Sequence, residues 1–423
     1  MLQTDLKNLI SSGKYDKYFA SLYSCLRDEV GYYRERALRI VEGFKKEFPG
    51  NAEGPRLFSS PGRLELTGNH TDHQGGMVLT GTVNADILAC VAKNGIDEIN
   101  ILSEGYGKIT LSCNDTELKP EEKNTTTALV RGMLKAVGDA GFKVGGFDMY
   151  AASDVPAGLG MSSSAAFEIL IGRVMNDLFC GGVLSNEQIA YAGMYAERKY
   201  FGKPCGLMDQ MACITGGINI FNFEDADRPM TSRIDFDFES AGLDIIVTDT
   251  GTDHADMAED FNAIPEEMYS VAKALGGERL CDIEENVFYE KTPELREKVG
   301  DRAIMRAMHW YDEVKRVRLQ KEVLEEKNVG RFLEIVRASG RSSFMYLQNI
   351  DNYKDPKFQS VALSLALADH LLGDKGAVRI QGGGFAGSII AFVPKEMSDD
   401  YITNMEKLLG AGSCRRVKIR SKV

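Results

Sequence analysis

The chain has 423 residues, 43% hydrophobic and 26% charged, a balance that excludes a disordered or fibrous protein and allows two or three domains. Fifty Lys and Arg against 62 Asp and Glu leave a formal charge of −12, so the broad attraction to phosphate backbones on which nucleic-acid binders rely is missing. Any phosphate must be held locally, by backbone amides, a few placed cations or a metal.

The first twenty positions mix charges throughout, so neither a secretory signal nor a transit peptide is expected. No run of about 18 apolar residues suggests a membrane span. Eight scattered cysteines without a C-x-x-C pair fit reduced thiols in a cytoplasmic protein better than a zinc site. Residues 1 to about 48 read as helical, with Leu22, Leu26, Val30 and Tyr33 at helical spacing, up to the turn at Pro49-Gly50-Asn51. From Leu57 to Val91, β-branched runs broken by glycines predict strands and tight turns, and alternating segments follow near 98–112 and 143–153. Helices are expected over about 164–179 and 186–201, the second opening with Ser185 and Gln188 at capping-box spacing. INIFNF and LDIIVTDT read as strands, and long helical stretches occupy roughly 257–275, 294–325, 328–347 and 356–373. VRIQGGGFAGSIIAFVP then predicts a strand, a glycine turn and a strand. The pattern is α+β, with domains expected at 1–218, including a helical addition over 1–50, and at 219–423.

Four segments can carry chemistry. Gly158, Leu159, Gly160, Met161, Ser162, Ser163 and Ser164 form a glycine-rich loop running into a helix, where free amides and the helix dipole can hold an anion. The loop lacks the Lys of a Walker A motif and the third glycine of a dinucleotide fingerprint, and an N-cap with a serine run is the plain alternative. In the second segment, Arg63 precedes Asn69, His70, Thr71, Asp72 and His73, set between glycines. Asp72 can accept from vicinal hydroxyls and Arg63 can stabilise developing negative charge, although a metal site at His70, Asp72 and His73 and a polar surface loop remain open. The third places Glu197 on an apolar helical stripe, where a buried carboxylate needs a cation or donors, and puts Asp209 after Cys205-Gly206 as a base or a helix-start residue. The fourth, Gln381-Gly-Gly-Gly-Phe-Ala-Gly387, implies close backbone packing against a ligand or another segment.

Together and in this order, PGRLELTGNHTDHQGG, VPAGLGMSSSAAFE, CGLMDQ and QGGGFAGS resemble the motifs of the GHMP small-molecule kinases, specifically the galactokinase family, from about 57 to 395. The resemblance implies an N-terminal mixed-sheet domain, a C-terminal ferredoxin-like α+β domain and an active site in the cleft between them. It implies ATP and Mg2+ as cofactors and a small sugar as partner, with no nucleic acid, no membrane, and a monomer or weak oligomer. By the same resemblance Arg63 and Asp209 are the catalytic pair, and Asn69, His70, Thr71, Asp72 and Phe261 line the sugar site. Gly158 to Ser164 wrap the ATP phosphates with Ser103 near the nucleotide, and Ser164 and Glu197 match the magnesium ligands.

The departures fall where the sugar is expected. Asn69 replaces a Glu that binds the sugar's 6-hydroxyl, His73 a Tyr, Phe261 a sugar-binding Tyr, and Ala263 and Ile264 an Arg pair. Loss of a negative charge beside C6 would also suit a C6 carboxylate, so a galacturonate kinase is the alternative to a galactose 1-kinase. A catalytically silent sugar sensor is a further alternative, set against the complete serine loop and the presence of Asp209.

Overall fold

The computed structural model describes residues 6–26, 28–51, 54–156, 158–203, 205–226, 228–252 and 257–422. Three helices, α1 (Leu6–Ser11), α2 (Asp16–Tyr23) and α3 (Val30–Glu47), precede β1 (Arg56–Thr67) and the long β2 (Met77–Lys93). The helical segment expected over 1–48 is three helices within the described residues, the second ending where Ser24 turns left-handed, at φ 51, which leaves Leu26 outside the helices and 62% exposed. Next come β3 (Glu98–Ser103), β4 (Ile109–Ser112), α4 (Thr126–Asp139) and β5 (Phe147–Ser153). Then follow α5 (Ser163–Phe179), α6 (Asn186–Tyr195), a π-helical turn (Ala196–Phe201), α7 (Met208–Thr215), β6 (Ile218–Asn222) and β7 (Met230–Ile234).

These strands form one seven-stranded sheet in the order β4-β3-β5-β2-β6-β7, with β1 antiparallel along the other edge of β2. Residues beyond 218 therefore still belong to it, since β6 pairs with β2 and β7 with β6. The two-residue period of β2 divides its side chains between two cores. Ile87, Ala89 and Val91 pack with the α4–α7 layer, while Leu88, Cys90 and Ala92 pack against Phe19, Leu22, Ile40 and Phe44 of α2 and α3. The N-terminal helices thus cover a sheet face that would otherwise be bare.

The remainder holds β8 (Leu243–Asp249), α8 (Ala258–Ala274), α9 (Glu285–Val299), α10 (Asp301–Glu325) and α11 (Val329–Ser342). It ends with α12 (Ser360–Leu372), β9 (Ala377–Gln381), β10 (Ser388–Pro394), α13 (Ser398–Leu409) and β11 (Cys414–Val417). Gly300, at φ 84, separates α9 from α10, which the sequence joins as a single helix. The four strands make an antiparallel sheet, β11-β8-β10-β9. Ile246, Ile389 and Ala391 face α12 and α13, whereas Ile245, Ile390 and Phe392 join the core shared with the larger sheet. Helices α8 to α10 build a separate core around Trp310 and Phe288. Among the described residues no helix is long and apolar enough to cross a membrane, and all eight cysteines are free thiols.

Candidate active site

The β1–β2 register shifts between Pro61 and Arg63 and again between Glu65 and Thr67, and such bulges re-aim side chains. Arg63, 4% exposed, meets Asp209 in the first turn of α7, its Nε and Nη2 donating to Oδ1 at 2.8 and 2.7 Å. Its Nη1 donates to the carbonyl of Gly160, and the Ser162 hydroxyl donates to Oδ2 of Asp209. Burial pushes the Asp209 carboxyl up, but Arg63, then Lys203 and Ser162, outweigh it and hold the group below the ordinary aspartate range. Asp209 is therefore an ionised acceptor at neutral pH.

The glycine loop is clamped from both sides. The Arg63 amide donates to Met161 O at 3.1 Å, Gln381 Nε2 to Gly160 O at 3.1 Å, and Ser388 Oγ to Leu159 O at 2.8 Å. Gly160 has φ 62, and a Cβ there would stand 3.0 Å from Gln381 Cγ and 3.2 Å from Ser388 Oγ. The glycine motif of 381–387 thus packs against the loop, and the loop delivers the first turn of α5, whose amides have no intrahelical acceptor. Gly158, also left-handed, is exposed, while Met161 is a core side chain.

Glu197 lies fully buried in the π-helical turn, a distortion common at functional sites. Its Oε1 accepts from Ser164 Oγ at 3.0 Å and from Lys203 Nζ at 3.1 Å. Its Oε2 accepts from Gln210 Nε2 at 3.0 Å, and the same nitrogen reaches Glu168 Oε2 at 2.9 Å. Burial, reinforced by the charge of Glu197, raises the Glu168 carboxyl far above its ordinary range. Ser164 and Glu197 form a hard oxygen pair beside the loop, of the kind that holds magnesium together with substrate phosphates. Among the described residues no cluster of three or more His, Cys, Asp or Glu is placed for a metal, so His70, Asp72 and His73 do not form one.

A cavity of about 560 Å³ opens beside Asp209, lined by Arg63, Asn69, His70, Asp72 and Phe261 among others. His70 is left-handed, at φ 55, and its Nε2 donates to Gly383 O at 2.8 Å with its ring 5.4 Å from that of Phe261. Burial lowers His70 to about 4 and His73 to about 3, so both are neutral at pH 7. Asp72 is raised to about 6 by burial and by the charge of Asp209. The Asp72 carboxylate rests on Gly206, where an added Cβ would fall 1.6 Å from Oδ2.

Two expected sugar-site residues spend their polar groups on protein partners. Asn69 is wholly buried, both its N–H groups donating to acceptors, Glu65 Oε1 at 2.9 Å and Gly382 O at 2.6 Å, while its Oδ1 accepts from Asn349 Nδ2 at 2.8 Å. The Thr71 hydroxyl bonds Gly68 O and Met77 O and stabilises the turn rather than the cavity wall. Ser103, expected near the nucleotide rather than the sugar, ends β3, where its carbonyl accepts from the Tyr106 amide at 3.0 Å, and is not among the residues lining this cavity. The sequence reading passes over Glu65, Arg198, Lys203 and Tyr269, which do line it. Glu65 has a signal in hindsight, standing two residues from Arg63 on one strand; the others come from separate elements.

The GHMP kinase N-terminal domain model matches residues 125–217, and the galactokinase galactose-binding signature matches 42–93. A galactokinase of Streptomyces coelicolor is 29% identical over 385 residues, covering 90% of this chain and 95% of that one. A Clostridium tetani galactokinase is 28% identical, covering 88% and 93%. Among solved structures, Lactococcus lactis galactokinase complexed with galactose superposes with a TM-score of 0.78 at 22% identity, over 90% of this chain and 99% of the other. Methanococcus jannaschii mevalonate kinase gives 0.62 at 14% identity, over 87% and 99%, which speaks for the fold. The two sheets, the loop and these matches define the two-domain α+β fold of the GHMP kinases. Within that class the chain is most similar in its motifs to the galactokinases, along about nine-tenths of its length, and it is an ATP-dependent sugar kinase.

Proposed function

We propose that the protein transfers the γ-phosphoryl group of MgATP to the anomeric hydroxyl of galactose, giving galactose 1-phosphate and ADP. One observation carries this reading: a single cavity joins Asp72, His70 and Phe261 to the Arg63–Asp209–Ser162 array at the mouth of the glycine loop. Phosphoryl transfer needs positioning and charge neutralisation more than covalent chemistry. The loop amides at Gly158 to Ser164 would cradle the phosphates, Arg63 would face the transferred group, and Asp209 would orient or deprotonate the attacking hydroxyl. Ser164 and Glu197 would hold the magnesium ion, which neutralises phosphate charge when bound. We place the domain division after β7, since β6 and β7 pair within the larger sheet.

Galactose is favoured over galacturonate by the state of Asn69. Both its N–H groups are engaged within the protein, so it offers no donor to the carboxylate that distinguishes galacturonate at C6. ADP release with galactose and none with galacturonate is the expected result; turnover of galacturonate alone overturns the sugar assignment, and sugar binding without ADP release overturns the enzyme.

Asp72 must be ionised to accept from two hydroxyls. With its carboxyl raised to about 6, the sugar KM should climb about tenfold per pH unit below that value while the KM for ATP stays level. Asp209, held low, and His70, neutral down to about 4, do not titrate in that window. A flat sugar KM from pH 7 to 5 removes Asp72 from the site. Gly206→Ala should raise the sugar KM about tenfold or more by pushing Asp72 aside, an effect read directly from steady-state kinetics.

A further inference from the structure

The loop from Gly68 to Thr71 carries the strained residue His70. Its side chains are anchored on Gly382, Gly383 and Asn349 and the Thr71 carbonyl takes the Gln74 and Gly76 amides, but few bonds within it hold its other peptide groups. The Thr71 amide and hydroxyl both reach Gly68 O, at 3.2 and 3.0 Å. The outward peptide groups are taken instead by α10, a helix 240 residues further along the chain. The Gly68 amide donates to Glu313 Oε1 at 3.0 Å, His309 Nε2 donates to Asn69 O at 3.0 Å, and Trp310 Nε1 donates to Thr71 O at 3.1 Å. All three side chains are 5% exposed or less.

The bonding also fixes the form of His309. A carbonyl can only accept, so Nε2 carries the proton, and Nδ1 must accept from the Ser342 hydroxyl 2.9 Å away on α11. Glu313 is held in turn by Ser339 Oγ at 2.6 Å and Arg316 Nε at 2.8 Å. Two helices outside the larger sheet therefore grip the backbone of the loop that presents His70 and Asp72. A left-handed non-glycine residue persists only where its surroundings over-determine it.

We propose that His309 and Glu313 are positioning residues, which hold the Gly68–Thr71 backbone so that His70 and Asp72 face the sugar. This rests on the assignment of that loop to the sugar. Neither residue touches substrate; each acts through a main-chain group, and loss of either bond frees the loop to leave its strained conformation.

The test is steady-state kinetics on the full chain. His309→Leu should raise the sugar KM about tenfold and leave the ATP KM within about twofold, whereas His309→Gln, whose amide N–H can replace Nε2–H, should stay within about threefold of the parent. Ser342→Ala, a milder change that frees the ring, should raise the sugar KM about threefold and serves if His309→Leu does not fold. A purely structural role would lower the active fraction, and hence apparent kcat, at unchanged KM. That pattern, or a Gln variant as impaired as Leu, overturns the proposal. Asp72→Asn in parallel separates the two assumptions: if it leaves the sugar KM unmoved, the loop assignment has failed; if it raises KM and His309→Leu does not, the positioning role has failed.

Discussion

Asp209→Asn should reduce kcat by about 10³-fold while nucleotide affinity changes little. In the native site one oxygen of Asp209 takes both N–H groups of Arg63 and the other takes the Ser162 hydroxyl. An amide has a single oxygen, so with that oxygen on Arg63 its NH2 can only donate to the Ser162 hydroxyl, reversing that bond and leaving no carboxylate charge beside Arg63. It also cannot accept the proton of the attacking hydroxyl. General-base contributions of about 10²–10⁴ set the scale of the loss. The glycine loop should keep its place, because Gln381, Ser388 and the Arg63 main chain hold it independently of Asp209. Calorimetric titration with ATP and a single-turnover measurement of ADP release check the two halves. A kcat within about tenfold of the parent shows that Asp209 neither carries the proton nor orients the hydroxyl.

The site was legible where it is local in sequence. The glycine loop opening α5 and the run from Arg63 to His73 announce themselves because a tight backbone path and dense polar groups are written into consecutive residues. The Ser185–Gln188 capping box forms as its spacing predicts. Pairing across distance was another matter. Arg63 and Asp209 are 146 residues apart, and only resemblance to a family joined them before the fold did. Asn69 shows the limit most clearly. Its residue type and position suggest a sugar contact, yet its partners, Gly382 and Asn349, come from 313 and 280 residues away and draw the amide inward. No local period encodes such a contact. For the same reason a carboxylate near that wall was missed: it is Glu65, paired with Arg379 at 2.9 Å. A change of Asn69 to Glu, attractive from sequence as a route to galactose preference, would set a second carboxylate against Glu65.

Asp86→Ala should cost about 3–5 kcal/mol of folding stability with both substrate KM values unchanged in the folded fraction. Asp86, on β2, has no exposed surface and accepts from Arg36 on α3, Arg420 Nη1 at 3.1 Å in the C-terminal segment, Tyr23 OH at 2.8 Å on α2, and Ser59 on β1. Asp154 pairs with Arg36 Nε at 3.2 Å, so two carboxylates balance two buried guanidinium groups. Removing one carboxylate strands a charge where water cannot reach it. Replacing the whole cluster by apolar groups need not destabilise, but deleting a single partner is the worst case. Burial raises the Asp86 carboxyl, and Arg36 and Arg420 more than offset that, so its folded pKa lies below the unfolded one. Its contribution is therefore complete above the ordinary aspartate range and is lost as pH falls through the folded value, which Asp86→Asn should abolish. Urea unfolding of parent and variant at pH 7 and below about pH 3 measures both effects. A loss under about 1 kcal/mol at pH 7 would mean that the helices before β1 are only loosely attached, and the packing of Leu88, Cys90 and Ala92 beneath them argues against that.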